Sequence, residues 1–160
     1  MVFLFNFKAM KTKRYLLLVS IMSSFSFVNM NAQGLEKYQW EYRILLLKDT
    51  RPNTDALLEQ LEKLDSNSGA LVDRDLKIFI LTNEILTING KKSEISASKI
   101  IKEYRLKHFK GVVLIGKDSG LKMKEPFVVA PEKIFALIDG MPMRKAEMRM
   151  NRIKENGPKP

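Results

Sequence analysis

The densest concentration of reactive side chains lies between Asp139 and Met150, in the segment DGMPMRKAEMRM. Arg144 and Glu147 stand three residues apart, the spacing at which side chains on one helix meet. Asp139 precedes Pro142 and lies within reach to cap that helix or to bridge to Arg144. Two readings follow. In one, the trio is a salt-bridged junction that fixes a last helix against the domain. In the other, Arg144 is an anion or ligand clamp, with Arg74 or Lys117 brought in by the fold. A guanidinium fork suits that task because it grips a carboxylate or phosphate through two hydrogen bonds. A hydrolase or transferase built on Asp139, Arg144 and Lys117 would require all three to converge on one concave pocket holding a perturbed carboxylate.

Other chemistry is thinner. Met141, Met143, Met148 and Met150 form a dense methionine group, expected as adaptable core packing or, alternatively, as a soft-metal or peptide-binding surface. Gly116-Lys117-Asp118-Ser119-Gly120 invites a phosphate-loop reading but fails the required spacing of glycines and lysine, as does Asn89-Gly90-Lys91-Lys92-Ser93. Asp118, Ser119 and Gly120 are expected to satisfy a tight turn instead. His108 is the only histidine and has no second histidine or carboxylate cluster nearby, so a surface or loop role is expected. The sequence contains no cysteine. That removes thiol redox chemistry, cysteine nucleophiles and cysteine metal sites together. No metal site and no cofactor is implied.

The N-terminus reads as an address. Lys11, Lys13 and Arg14 form a basic region with no acidic residue before Glu36, and Tyr15 to Val28 follows as an apolar stretch diluted by serines. Spanning the hydrocarbon takes about 20 apolar residues, so this run fits a removable export signal over residues 1–33, cut after Ala32 or Gln33. Met10 directly precedes the basic region and is a second candidate start. Without a cysteine, lipid attachment after cleavage is excluded. Loss of residues 1–33 removes Lys8, Lys11, Lys13 and Arg14, leaving 24 basic against 18 acidic residues, a net charge of +6. Most of the excess sits at the C-terminus, where six basic residues face Glu147 and Glu155 across residues 141–160. Export and the lack of an aromatic–basic platform argue against nucleic acid as a partner. An anionic envelope or matrix polymer, an acidic lipid surface or another exported protein is more consistent, with no transmembrane span left after signal removal.

These residues need a scaffold. Tyr42 to Leu47 is a nearly continuous apolar run, as expected of a strand buried on both faces. Thr54 caps a helix with Leu57, Leu58, Leu61 and Leu64 at helical spacing, ended by Ser66 to Gly69. Leu76 to Leu81 is a second buried strand, introduced by Asp73-Arg74-Asp75. Ile85 to Ile88 with Asn89-Gly90 reads as a short extended piece and a turn. Ser96 to Leu106 is a second helix. Val112 to Ile115 and Leu121 to Lys124 form an antiparallel hairpin. Pro131 opens a third helix through Leu137, stopped by Asp139-Gly140. Pro142 starts a last helix on which Met143, Ala146, Met150 and Ile153 share a face. A tail from Asn156 is expected to be disordered. The order β-α-β-α-β-β-α, with a mixed four-stranded sheet, is that of an α/β, thioredoxin-like three-layer sandwich over residues 34–155.

Four segments carry a resemblance to a known family. Trp40 to Leu47 (WEYRILLL), Asp73 to Leu76 (DRDL), Val113 to Lys122 (VLIGKDSGLK) and Ile138 to Met148 (IDGMPMRKAEM) resemble the DUF4174 family of exported thioredoxin-like domains. The resemblance also implies a relationship to extracellular domains of the equarin and sushi-repeat group. It implies the fold and the export, and it carries no set of catalytic residues. In a working thioredoxin fold a cysteine pair follows the first strand. Here that place is Lys48 to Asp55 (KDTRPNTD), and Lys110-Gly111 stands where a proline usually precedes the third strand. Thiol–disulfide exchange and peroxidase chemistry need a thiolate and cannot occur. The expectation is an exported, non-redox binding or accessory domain, with the hydrolase or transferase around Asp139, Arg144 and Lys117 as the alternative.

Overall fold

The computed structural model describes residues 34–84 and 86–156. The expected export signal over 1–33 and most of the expected tail, residues 157–160, lie outside the described residues. Three leucines fix the centre. Leu45, Leu46 and Leu47 are each fully buried in strand β1 (Arg43–Lys48), and since successive side chains point to opposite faces, the strand must be covered on both sides. Burying a leucine contributes about 1.5–3 kcal/mol, so this strand alone organises two cores.

On one face, Leu45 and Leu47 pack with Leu57 and Leu64 of helix α1 (Asp55–Asp65), Leu71 of α2 (Ser68–Asp73) and Ile134, Phe135 and Ile138 of α4 (Pro131–Asp139). On the other, Ile44 and Leu46 pack with Phe79 of β2 (Leu76–Leu81) and with Ala97 and Ile100 of α3 (Ala97–Glu103). The sheet continues through β3 (Leu86–Ile88), β4 (Lys91–Lys92), β5 (Gly111–Ile115) and β6 (Leu121–Glu125), in the order β4-β3-β2-β1-β5-β6. β1 and β2 are parallel, with Arg43 opposite Leu76 and Lys48 opposite Leu81. β5 runs antiparallel to β1, and β6 to β5. The helix α5 (Pro142–Asn156) closes the described chain. All described residues fall in one compact unit.

A parallel β-α-β unit, an antiparallel hairpin and a closing helix, with α1 and α4 on one face and α3 on the other, make the fold thioredoxin-like. The sheet has six strands where four were expected. The difference is the hairpin β3–β4, whose short strands extend the β2 edge around Asn89 and Gly90, both at positive φ. Residues 68–73 form a second helical turn rather than ending α1, and α3 stops at Glu103 rather than Leu106. Asp139 lies inside α4 instead of stopping it, and Asn156 is still helical.

Two local devices hold the layers in register. Gln60, fully buried in α1, donates from Nε2 to the Val129 carbonyl at 2.9 Å and accepts from the Val129 amide at 2.7 Å. It thereby clamps the segment that feeds α4. Gly111 begins β5 at φ +143°, where a Cβ would lie 2.1 Å from the Glu125 carbonyl oxygen. Backbone at that distance cannot yield cheaply. Gly111→Ala is therefore expected to cost more than about 2 kcal/mol, read as a lowered denaturation midpoint in urea.

Candidate functional site

Parallel β1 and β2 and antiparallel β5 bring three loop junctions to one end of the central strands, the lower edge of the sheet as opposed to the upper edge at the other strand ends. Arg43 opens β1, Asp73-Arg74-Asp75 precede β2 and Lys117 follows β5. Asp139 at the end of α4 and Arg144 and Glu147 on α5 reach the same edge. The Arg43 side chain is almost completely buried, and its two terminal nitrogens each lie 3.1 Å from Glu147 oxygens. It also donates to the Arg74 carbonyl at 2.9 Å. Lys117 donates to Asp75 and lies equally close to Glu147, both at 2.8 Å. Arg74 bonds Asp139 at 2.5 Å and lies over the Phe135 ring, 4.8 Å from its centroid. Arg144 bonds the Asp73 carbonyl at 2.7 Å, the Asp73 carboxylate, and Asp139 at 3.3 Å.

Four cations (Arg43, Arg74, Lys117, Arg144) thus meet four carboxylates (Asp73, Asp75, Asp139, Glu147), and the network is neutral. Burial pushes the Asp139 carboxyl upward, but Arg74 and then Arg144 outweigh it and hold it below the usual range. Burial likewise opposes ionisation of Glu147, and the Arg43 and Lys117 bonds overcome it. Among the described buried side-chain polar atoms, Arg74 Nε alone has no hydrogen-bond partner.

The remaining candidates separate in space from this network or flank it. Asp118 is not in it. It pairs with Lys122 at 2.7 Å and accepts from the Gly120 amide at 3.1 Å, so the 116–120 loop is a turn. His108 is exposed. Met141 and Met148 are half-buried, whereas Met143 and Met150 are exposed, so the methionine group is only partly core. Lys117 lines a cavity of about 360 Å³ with Arg43, Lys122 and Met141, while Arg144 and Glu147 line a separate, wider groove with Val72 and Met150. Asp139 lines neither. Of the three residues of the hydrolase or transferase reading, Asp139 and Arg144 pair directly, Lys117 joins them through Glu147, and they share neither this cavity nor this groove.

Arg43, Asp73 and Asp75 were missed as members. A charged residue at the head of an otherwise apolar run, and two aspartates flanking Arg74, were the available signals.

The opposite edge of the sheet is where a thioredoxin fold would place its cysteine pair. Lys48, with its side chain almost wholly enclosed, donates to the Asp49 carbonyl and to Asn83 Oδ1, each at 2.9 Å. Burial lowers its pKa, Asp49 opposes that shift, and Lys110 adds to it. The Asp49 carboxylate accepts from Thr54 Oγ1 at 2.5 Å and from the Thr50 amide at 2.6 Å. Thr54 is the α1 N-cap residue, but its hydroxyl serves Asp49 and makes no bond to the helix amides. Lys48, Asp49, Thr54 and Asn83 are thus bonded to one another at this edge.

The family model described as "Domain of unknown function (DUF4174)" matches residues 34–147, which includes both edges and all of the core. The chain belongs to the DUF4174 family. No curated protein matches the DUF4174 chain. Among solved structures it is similar to the reduced 2-Cys peroxiredoxin of Plasmodium vivax, at 13% identity and TM-score 0.49, over 77% of this chain and 72% of that one. It is also similar to thioredoxin peroxidase I of Plasmodium yoelii, at 14% identity and TM-score 0.47, over 79% and 82% respectively.

The network of this DUF4174 domain makes a pH prediction. Asp139 and Glu147 have folded pKa values below their unfolded ones, so their contribution is complete above the unfolded values and lost as pH falls through the folded ones. Melting temperature should therefore drop as pH falls below about 4.3, the ordinary glutamate value. Glu147→Gln should show a shallower drop over the same range. At neutral pH, Glu147→Ala strands the buried Arg43 and is expected to cost about 3–5 kcal/mol. The double replacement Arg43→Met with Glu147→Met should recover most of that loss in urea denaturation, because both charges leave together.

Proposed function

We propose that this DUF4174 chain is exported and works without redox chemistry, as a binding or accessory domain of the cell envelope or extracellular space. One observation carries the non-redox part. The edge at which the fold would hold a cysteine pair is filled by Lys48, Asp49, Thr54 and Asn83, bonded to one another. The export part is supported by the basic Lys11–Arg14 region and the apolar run to Val28. Among the described residues no helix is long and apolar enough to cross a membrane.

The catalytic alternative gains no such support. Asp139 is held ionised between two guanidinium groups, and a carboxylate of lowered pKa is a poor general base near neutral pH. Binding partners that fit the basic C-terminal excess are anionic envelope or matrix polymers or an acidic exported protein.

The test is fractionation with mass measurement. The full chain is expressed with its leader, and the exported product is weighed. Removal of 32 or 33 residues, with the product in the periplasmic or medium fraction, is the expected result, since the leader ends at Ala32 or Gln33. A full-length chain retained in the membrane would replace the exported reading with an uncleaved signal anchor.

A further inference from the structure

Helix α5 contributes no side chain to either buried cluster. Arg144 and Glu147 pin its inner side through the ion network, where Met148 is half-buried, and Met143, Ala146, Met150 and Ile153 are exposed. Met143 is 39% exposed, Met150 57% and Ile153 63%, and Ala146 is exposed with them. Their spacing of three, four and three residues makes a single stripe along the helix. Val72 of α2, 77% exposed, stands beside its near end across the groove that Met143, Ala146 and Met150 line.

The unpaired charge around the stripe is of one sign, since Glu147, which borders it, is held by Arg43 and Lys117. At about 100° per residue, Arg149 falls on one flank and Lys154 on the other, with Lys145 and Arg152 further round from the stripe beyond Arg149. All four are exposed, and none of these side chains forms a hydrogen bond or ion pair with a described residue. Asp73 and Asp75 reach the groove, but each is already paired, with Arg144 and Lys117. An exposed apolar stripe between unpaired cations is the pattern of a helix that lies in the boundary between lipid headgroups and acyl chains.

We propose that α5 docks the domain onto an anionic lipid surface, with Met143, Met150 and Ile153 entering the boundary and Lys145, Arg149, Arg152 and Lys154 meeting acidic headgroups. A second copy is a poorer occupant, since pairing two stripes would set the same cations against each other. A shaped protein groove is also poorer, because Ile153, 63% exposed and part of the stripe, is not among the residues that line the groove. The proposal rests on the exported, accessory reading, which brings the domain to an envelope.

The test uses residues 34–160, the part that carries the compact unit, in flotation with two kinds of vesicle. One is pure phosphatidylcholine, and the other contains about a third phosphatidylglycerol. Binding to the anionic vesicles should be at least about tenfold tighter and should weaken steeply with salt, each cation being worth about a fivefold gain near such a surface. Met150→Asp with Ile153→Asp, and separately Arg149→Glu with Arg152→Glu, should each lower binding at least about tenfold with melting temperature unchanged. Lys91→Glu with Lys92→Glu, on the exposed β3–β4 hairpin, should lower it less than about threefold.

No binding by the unaltered protein overturns the proposal, as does an equal loss in the hairpin variant. A dimer in sedimentation that Met150→Asp with Ile153→Asp converts to monomer would assign the stripe to a second copy. Binding to polyglutamate but not to vesicles, with the same α5 dependence, would assign it to an acidic macromolecule. Any of these failures leaves the fractionation result untouched, so loss of the lipid reading and loss of the export reading are distinguishable.

Discussion

A guanidinium buried at the head of the central strand sets the terms for one whole edge of this molecule. Arg43 opens β1 directly before four fully or nearly fully buried aliphatic residues, and its side chain is as enclosed as theirs. Removing an ion from water costs several kcal/mol, so a charge in that place persists only with a carboxylate brought to it and its remaining donors occupied. Glu147 supplies the carboxylate and the Arg74 carbonyl takes another donor. Because Glu147 lies on α5, satisfying Arg43 also determines where α5 sits. Lys117 then shares Glu147, Asp75 satisfies Lys117, and Asp139 and Asp73 satisfy Arg74 and Arg144. Neutrality propagates around the edge from one buried cation.

The two edges of the sheet use buried charge in contrasting ways. At the lower edge, ions from five chain segments hold separate elements together, and pairs such as Arg43–Glu147 and Lys117–Asp75 join residues remote in sequence. At the upper edge, Lys48, Asp49 and Thr54 are near neighbours, and Asn83 and Lys110 are the distant contributors. A thioredoxin scaffold would expose a reactive pair at that upper edge. Here the same turn spends its polar groups on one another: Thr54 turns its hydroxyl to Asp49 rather than to the helix amides, and the Lys48 amine is enclosed. The thioredoxin-like shape is kept, while the place of the reactive pair is taken by groups that bond one another.

The core was legible because it follows local rules. The unbroken aliphatic run of β1, the leucine spacing of α1 and the tight 116–120 turn each specify an element without reference to distant residues. The β3–β4 hairpin was less visible, since a three-residue strand and a two-residue strand carry almost no periodic signal beyond Asn89-Gly90. The ion network was half legible. Arg74, Lys117, Asp139, Arg144 and Glu147 stood out as charged residues at element boundaries, and what the sequence left open was their pairing. Pairing depends on which strand ends share an edge, and that follows from sheet order, a long-range property. Arg43 was concealed by its own surroundings, since a charge inside an apolar run reads as an interruption of the strand rather than as its anchor.

The methionines of α5 show why an amphipathic pattern alone does not say which side of a helix faces inward. A stripe of Met143, Ala146, Met150 and Ile153 predicts burial if the hydrophobic effect is what docks the helix. In this molecule the docking force is the ion network, and the residues that serve it, Arg144 and Glu147, lie beside the stripe and not within it. Once those charges point inward, the apolar stripe has to point out, together with Lys145, Arg149, Arg152 and Lys154. An exposed stripe of this kind is costly in water and adds nothing to the fold that holds it. Its presence on a helix already anchored by charge is therefore better explained by an external surface than by an imperfect core.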